Sequence, residues 1–315
     1  MSRKGVRSLI LAGIYLLFLI LPLILSNYHI GLLTEVVILT IMGYSFKILF
    51  TAGYLTLGIA GFYATGAYVF ALFNLHISKS LFLASVSAIF VSAVLGVGIG
   101  LLCVRRQKMY FAVLTLAFSE LLRSFFWQWR GVFGGDEGIS GVRIPPFVLG
   151  PIEISLNSYT SFYYFVLLVL TLCLALLWKL QNSNFGYVLK AIQANPERMP
   201  YIGVNVQRYV IVVFVMSAVL ASVAGILSVC LFGGVNPMAA HIVRTVEPQI
   251  ATLIGGVTSF GGPLVGSLFY VLAKDYLLVK IGNWLLFIGP LLMALVIVFK
   301  SGILGYANEK LHLDL

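Results

Sequence analysis

The chain has 315 residues, of which 61% are hydrophobic and only 10% are charged, whereas soluble domains average about 25% charged residues. A helical membrane span takes about 20 apolar residues, so spans fill this chain and exclude a separate soluble catalytic domain. The formal net charge of +10 would suggest nucleic-acid binding in a soluble protein, but in a membrane protein it reports topology. We therefore predict an all-α polytopic protein embedded in the lipid bilayer, with no nucleic-acid partner.

Apolar stretches separated by short polar breaks predict about ten transmembrane helices, some of them broken by glycine. In chain order they cover residues 8–25, 32–50, 55–73, 81–104, 109–127, 160–180, 209–232, 246–257, 264–279 and 284–299. No small-x-small cleavage site follows the first stretch, so we expect a retained helix rather than a signal peptide. The eighth stretch is short, has Pro248 near its start and ends among paired glycines, which is typical of a broken or re-entrant helix.

The distribution of Lys and Arg predicts the topology. Most of them fall in loops on the same side as the N-terminus, so the positive-inside rule places both termini in the cytoplasm. Residues 1–315 are expected to form one transmembrane domain with two long loops. Residues 128–159 form an extracytoplasmic loop whose Gly and Pro content predicts an ordered cap.

The second loop, residues 181–208, is cytoplasmic in this topology. Its residues 185–202 can form a short helix along the membrane surface. Pro196 suits a first-turn position of that helix, whereas Pro200 is expected to end or kink it.

Motifs for nucleotide, metal and disulfide chemistry are absent from the sequence. It contains neither G-x-x-x-x-G-K-[ST] nor H-E-x-x-H, and its cysteines, Cys103, Cys173 and Cys230, lie far apart in apolar runs. We predict no catalytic residue, no metal site and no cofactor bound by this chain.

Two glycine-rich segments, GYLTLGIAGFYATGAY and GGVTSFGGPLVG, are the most unusual local features. Glycine lets membrane helices approach closely, and it also allows a helix to unwind at a binding site. The sequence alone leaves both roles open. The glycines concerned are Gly58, Gly61, Gly66, Gly255 and Gly256.

Charged residues within the predicted spans need a partner or a wet cavity, because burying a charge in the bilayer costs about 3 kcal/mol or more on insertion scales. Glu120 and Arg123 are three residues apart, as are Arg244 and Glu247, a spacing that places both side chains on one helical face. Mutual neutralisation and substrate contact are both open for each pair. Three further charged residues, Glu35, Lys274 and Asp275, are expected near outer span ends, where they can reach interfacial water.

Several segments together indicate a family. They are GYLTLGIAGFYATGAYVFAL, RRQKMYFAVLTLAFSELLR, GGDEGISGVRIPP, AIQANPERMPYIGVNVQRYVIVVFVMSAVLASVAGIL and TVEPQIATLIGGVTSFGGPLVG. In this order they resemble the permease subunits of ATP-binding-cassette (ABC) importers of the branched-chain amino acid type, and the resemblance covers nearly the whole chain.

The resemblance implies a multi-pass subunit of the bacterial plasma (inner) membrane that forms the translocation path for branched-chain or related amino acids. It implies two cytoplasmic ABC ATPase subunits that bind the ATP, a homologous permease subunit and an extracytoplasmic solute-binding protein. The path is then expected at Gly58, Gly61, Gly66, Glu120, Glu247, Gly255 and Gly256. Contact with the ATPases is expected at Ala191, Ile192, Asn195, Glu197, Gly203, Val204 and Asn205. The loop departs from the family pattern at Gln193, Ala194, Arg198, Met199 and Pro200.

Other functions remain as alternatives. One is an ion-coupled secondary transporter of a small solute, and another is an ABC permease for urea or short amides. A lipid-modifying membrane enzyme would need clustered interfacial His, Asp or Glu, and the sequence offers only the DEG of residues 136–138.

Overall fold

The computed structural model describes residues 18–19, 21–23, 25–104, 108–144, 147–149, 152–154, 156, 158–281 and 302–305. The helices of these ranges are α1 (Asn27–Phe50), α2 (Ile59–His76), α3 (Leu81–Cys103), α4 (Lys108–Gln128), α5 (Arg130–Phe133), α6 (Tyr159–Gln181), α7 (Asn184–Ala194), α8 (Val206–Phe232), α9 (Ile242–Gly255) and α10 (Gly262–Ile281). The strands are β1 (Ile139–Ser140), β2 (Phe147–Leu149), β3 (Ile152–Ile154) and β4 (Gly234–Val235). Short 3₁₀ turns cover Leu21–Leu23, Met199–Ile202 and Pro237–Ala240.

Within the described residues, five helices are long and apolar enough to cross a membrane: α1, α3, α4, α6 and α8. The predicted spans over the same segments are confirmed as helices, with ends that differ by a few residues. The first predicted span lies mostly, and the last entirely, outside the described residues. The protein is thus a predominantly helical membrane protein, while the number of about ten spans and the side of each terminus stay predictions.

Helix α8 forms the centre of the core and packs against α1, α2 and α3. Its buried face carries small side chains, among them Ala221, Ser222 and Gly225. A Cβ atom added to Gly225 would lie 2.0 Å from the carbonyl oxygen of Tyr63, and one added to Gly66 would lie 2.4 Å from the Ser222 hydroxyl oxygen. Small residues therefore let the backbones of α2 and α8 touch, as is common where membrane helices pack.

Helices α9 and α10 form a hairpin that packs along α1. The 14 residues of α9 reach about 21 Å at 1.5 Å per residue, less than the roughly 30 Å of a bilayer core. The short eighth predicted span is confirmed as this short helix. Gly256 ends it with a φ of +106°, a backbone conformation that side-chain-bearing residues rarely adopt.

The chain between α1 and α2 is not helical, and side chains of other helices bind amides at its end. The Leu57 amide donates to the Thr115 hydroxyl at 3.1 Å, and the Ala60 amide, in the first turn of α2, donates to the Thr245 hydroxyl at 3.0 Å. Within a membrane protein, non-helical backbone is tolerated where protein groups supply such partners.

The loop of residues 128–159 contains α5 and short strands in its described part. Strand β1 pairs antiparallel with β4, with Ile139 opposite Val235, and β2 pairs antiparallel with β3. The all-α prediction missed these strands, because two- and three-residue strands are too short to show a sequence period.

The loop of residues 181–208 contains two short elements where one helix was expected over residues 185–202. Helix α7 ends at Ala194, and Asn195 is extended, with φ −156° and ψ 93°. Proline disfavours helical conformation in the residue before it, so Pro196 ends this helix instead of starting one. The following 3₁₀ turn has Pro200 near its start.

Candidate functional site

The two ends of α8 define the two ends of the described bundle. Helix α8 has 27 residues and is therefore about 40 Å long. Its first residue, Val206, lies at the end of the loop of residues 181–208, and its last, Phe232, precedes β4. Asn74 in the last turns of α2 donates to the Arg143 carbonyl at 3.0 Å, which ties the loop of residues 128–159 to the β4 end. We call this the cavity end and the opposite one the coupling end.

A cavity of about 660 Å³ lies at the cavity end, between α2, α8, the start of α9 and the loop that carries β1. Most of its wall is apolar, with Val229, Phe232 and Met238 among the lining residues. Two charged side chains line it within the described part of the chain, Glu137 of the loop and Arg244 of α9. We call this space the outer cavity.

Arg244 belongs to a row of charges that joins three helices. Its Nη1 lies 2.7 Å from Oε2 of Glu247. Lys274 of α10 lies 3.3 Å from Oε1 of the same glutamate and 3.6 Å from Oε1 of Glu35 in α1. The signs alternate along this charged network of Arg244, Glu247, Lys274 and Glu35, and its formal charges cancel.

The charged network is partly buried: the Glu247 side chain is 7% exposed, and those of Arg244, Lys274 and Glu35 are 25%, 19% and 24% exposed. Glu35 is eight residues after the start of α1, which is about 12 Å along the helix. The structure pairs Glu35 and Lys274 with each other, and their expected contact with interfacial water stays a prediction. Asp275 accepts a hydrogen bond from the Tyr28 hydroxyl.

Arg244 also contacts an aromatic side chain of α2. Its Nη2 donates to the Tyr63 hydroxyl at 3.2 Å, and its Cζ lies 5.3 Å from the centroid of the Tyr63 ring. A smaller void of about 10 Å³ lies beside this contact and is lined by Glu35, Glu247 and Arg244. Arg244 lines both spaces, as do Tyr63, Ser228 and Phe232, so it lies between the outer cavity and the rest of the charged network. We call this boundary the floor of the outer cavity.

The second predicted pair is formed but lies elsewhere. Nε of Arg123 is 2.5 Å from Oε2 of Glu120, and the two side chains are 33% and 34% exposed. Helix α4 is largely exposed in this single chain. Glu120 lines neither of the two spaces described above.

The predicted path glycines are close-packing positions. A Cβ on Gly58 would lie 2.6 Å from the Thr115 carbonyl oxygen, and one on Gly61 would lie 3.1 Å from the Ser119 Cα. A Cβ on Gly255 would lie 1.8 Å from the Gly262 carbonyl oxygen. Of the predicted path residues, Gly58, Gly61, Gly66, Glu120, Glu247, Gly255 and Gly256, only Glu247 lines either space. A path role for the others stays a prediction.

Sequence reasoning singled out Arg244 only as the partner of Glu247, and it missed Tyr63 and Met238. The cavity residues come from segments that are far apart in the chain, and their composition is that of ordinary apolar spans. In the sequence, only the charge of Arg244 and the acidic residue Glu137 indicated a polar site among these residues.

The coupling end presents an exposed, rigid turn. The Asn195 side chain accepts from the amides of Glu197 and Arg198, both at 3.2 Å. The Asn205 side chain accepts from the Arg208 amide at 3.2 Å and caps α8. Gly203 has a φ of +81° with open space around it, so the turn needs glycine for its conformation.

The predicted coupling residues are brought together in this turn and the adjoining helix. Ile192 is buried, Asn195 and Val204 are half-buried, and the remaining ones, Ala191, Glu197, Gly203 and Asn205, are exposed. Gln193 donates from its side chain to the Phe50 carbonyl at 3.2 Å, which fixes α7 to the end of α1.

Comparison with known proteins identifies the family. The family model "Branched-chain amino acid transport system / permease component" matches residues 28–299. The high-affinity branched-chain amino acid transport system permease protein LivM of Salmonella typhimurium is 24% identical over 98% of this chain and 77% of its own length. LivH of Escherichia coli is 27% identical over 54% of this chain and 57% of its own length. The fructose import permease protein FrcC of Rhizobium meliloti is 28% identical over 56% and 51%.

No solved structure gives a significant match. The family model covers most of the chain, and the described residues supply several apolar spanning helices. The chain therefore belongs to the permease components of branched-chain amino acid transport systems, and is an ABC permease of the bacterial inner membrane.

Proposed function

We propose that this chain is one permease half of an ABC importer that carries branched-chain or related amino acids, driven by ATP hydrolysis on partner ATPases. The observation that supports this most is the arrangement along α8. A cavity with an apolar wall lies at one end, and a rigid exposed turn lies about 40 Å away at the other.

The wall of the outer cavity favours an amino acid with an apolar side chain. Small-molecule sites are mostly apolar and carry a few polar groups that orient the ligand. Branched-chain amino acids have this composition. The lining also includes the polar side chains Tyr63, Ser140, Ser228, Asn236 and His241, which can orient the polar groups of such a ligand. The relative LivM, a branched-chain amino acid transport permease, supports the same substrate class.

The coupling end suits a protein partner. Tyr187, Tyr201 and Ile202 are exposed apolar side chains around the turn, next to the positive charges of Lys190 and Arg198. Two cytoplasmic ATPases, which bind the ATP, would dock here and move the helices that α7 contacts. Alternating access then follows when this motion opens the outer cavity toward one side of the membrane and closes it toward the other.

Helix α4 supports pairing with a homologous permease. An ion pair that is about one-third exposed is costly against lipid, so Glu120 and Arg123 need protein or a wet path beside them. A second permease on this face would enclose a path along α4. A solute-binding protein would then deliver substrate at the cavity end.

The alternative is an ion-coupled carrier, which needs no ATPase. Uptake by the reconstituted complex distinguishes the ATP-driven importer from the ion-coupled carrier. Proteoliposomes would contain this chain with its partner permease, the ATPases and the binding protein, and radiolabelled leucine uptake would be measured with and without ATP.

A two-glycine insertion after Gly203 would alter the coupling turn. We expect the assembled complex to lose ATP-driven uptake, because motion of the ATPases no longer reaches α8. The matched control is the same insertion after Lys79, in the exposed connection between α2 and α3 at the cavity end, which should leave uptake in place. Unchanged uptake in the Gly203 variant, or uptake driven by an ion gradient without ATP, would contradict the proposal.

A further inference from the structure

We infer that Arg244 binds the carboxylate of the transported amino acid at the floor of the outer cavity. The inference rests on the proposed function, because it names the substrate group that the same cavity recognises. The ligand class is an apolar carboxylate, and the apolar wall receives its side chain.

The geometry of the outer cavity favours an anionic head group at its floor. Arg244 is the one cationic Lys or Arg among the described residues that line it, and its side chain is 25% exposed. A guanidinium presents a planar fork of donors that matches a carboxylate with two parallel hydrogen bonds. Arg244 also lies in the first turn of α9, where the helix dipole adds positive potential.

The charged network allows Arg244 to change partners. Glu247 is only 7% exposed and would be costly to leave unpaired. It is shared, however, with Lys274 at 3.3 Å. Glu247 therefore keeps a cationic partner when the guanidinium turns toward a substrate carboxylate.

The lining of the outer cavity also includes an acidic side chain. Glu137 is exposed on the loop that covers the outer cavity, and its carboxylate has the sign that attracts an ammonium group. A zwitterion with an apolar side chain finds a cation, an anion and apolar residues in the same lining. A simple carboxylate should therefore bind more weakly than the amino acid.

The test is ligand binding to the complete complex purified from native membranes, without ATP and without the binding protein. The probes are leucine, isovalerate, which lacks the amine and has one carbon fewer, and isopentylamine, which lacks the carboxylate. The readout is the thermal unfolding midpoint as a function of probe concentration. We expect leucine to stabilise most, isovalerate less, and isopentylamine least.

The critical variant is Arg244→Gln, with Arg130→Gln as its matched control. Arg130 lies in α5 and does not line the outer cavity. We expect Arg244→Gln to weaken binding of leucine and isovalerate about tenfold or more, the size expected when a charge-assisted hydrogen bond is lost, while Arg130→Gln keeps wild-type binding. Equal stabilisation by isopentylamine and isovalerate, full binding by Arg244→Gln, or no effect of any probe on the wild type would overturn the inference.

Two further variants separate binding from folding. The double variant Arg244→Gln with Glu247→Gln keeps the charged network neutral, and it should also lose carboxylate binding. Glu247→Gln alone releases Arg244 from its ion pair, so isovalerate should bind about tenfold more tightly. A purely structural Arg244 would show no such gain, and unchanged or weaker binding in Glu247→Gln would overturn the inference.

The two proposals fail in different ways. If carboxylate binding depends on Arg244 but uptake needs no ATP, the ABC importer proposal is overturned and the binding site stands. If leucine uptake is driven by ATP but Arg244→Gln binds leucine as the wild type does, the binding site is overturned and the importer proposal stands.

Discussion

Helices α4 and α9 each carry an ion pair with the same three-residue spacing, and the two pairs lie in different surroundings. The pair distances are similar, 2.5 Å for Glu120–Arg123 and 2.7 Å for Arg244–Glu247. Glu120 is 34% exposed and has Arg123 as its salt-bridge partner, whereas Glu247 is 7% exposed and is shared with Lys274. Spacing along a helix therefore determines which charges meet, and packing of the other helices determines what the pair does.

Removal of each glutamate should show the largest difference. Glu247→Ala leaves Arg244 and Lys274 buried with too little negative charge, so we expect a loss of about 3–5 kcal/mol in stability. Glu120→Ala removes half of a partly exposed pair and should cost about 0–1 kcal/mol. The measurement is the thermal unfolding midpoint of the purified complex. Equal shifts for the two variants would break the distinction between the pairs.

Coupling within the charged network should be smaller but measurable. Lys274→Met and Glu35→Gln act on residues 3.6 Å apart, and contacting residues typically couple by about 0.5–3 kcal/mol. The double variant should therefore be more stable than the sum of the single effects. Combining Glu35→Gln with Arg123→Met is the control, and additive behaviour is expected there. Additive behaviour in both combinations would show that the network does not act as a unit.

Water access should distinguish α4 from a helix that faces lipid. Leu121 of α4 and Leu168 of α6 are exposed to similar extents in the single chain. In a background with Cys103, Cys173 and Cys230 replaced by alanine, a membrane-impermeant maleimide should label Leu121→Cys faster than Leu168→Cys in the assembled complex. The same slow rate at both positions, with no protection by a partner permease, would mean that α4 faces lipid.

Reversing the α4 pair should have the smallest effect. The double variant Glu120→Arg with Arg123→Glu keeps two opposite charges at the same spacing, so stability should change by less than about 0.5 kcal/mol. The same reversal at Arg244 and Glu247 would place a cation next to Lys274 and should destabilise the complex clearly. Thermal midpoints of the two reversed complexes provide the comparison.

The sequence predicted the local features of this fold and missed the long-range ones. Apolar length located α1, α3, α4, α6 and α8, and Pro248 with the paired glycines marked α9 as short. These features depend on contiguous residues, which a sequence pattern records directly.

Contacts between distant segments left no pattern of contiguous residues in the sequence. The pairing of Ile139 with Val235 and the approach of Lys274 to Glu247 join separate parts of the chain. The glycines illustrate the same limit. Their sequence left packing and unwinding equally open, and only the neighbouring atoms at Gly58 and Gly66 show close packing.

The most direct measurement follows the outer cavity while the ATPases change state. Met238 is exposed and lines this cavity, so Met238→Cys in the cysteine-free background reports its access to water-soluble maleimide. We predict that a non-hydrolysable ATP analogue changes the labelling rate in the assembled complex, and that the insertion after Gly203 removes this response. An identical rate with and without the analogue in the complex without the insertion would contradict coupling between the two ends of α8.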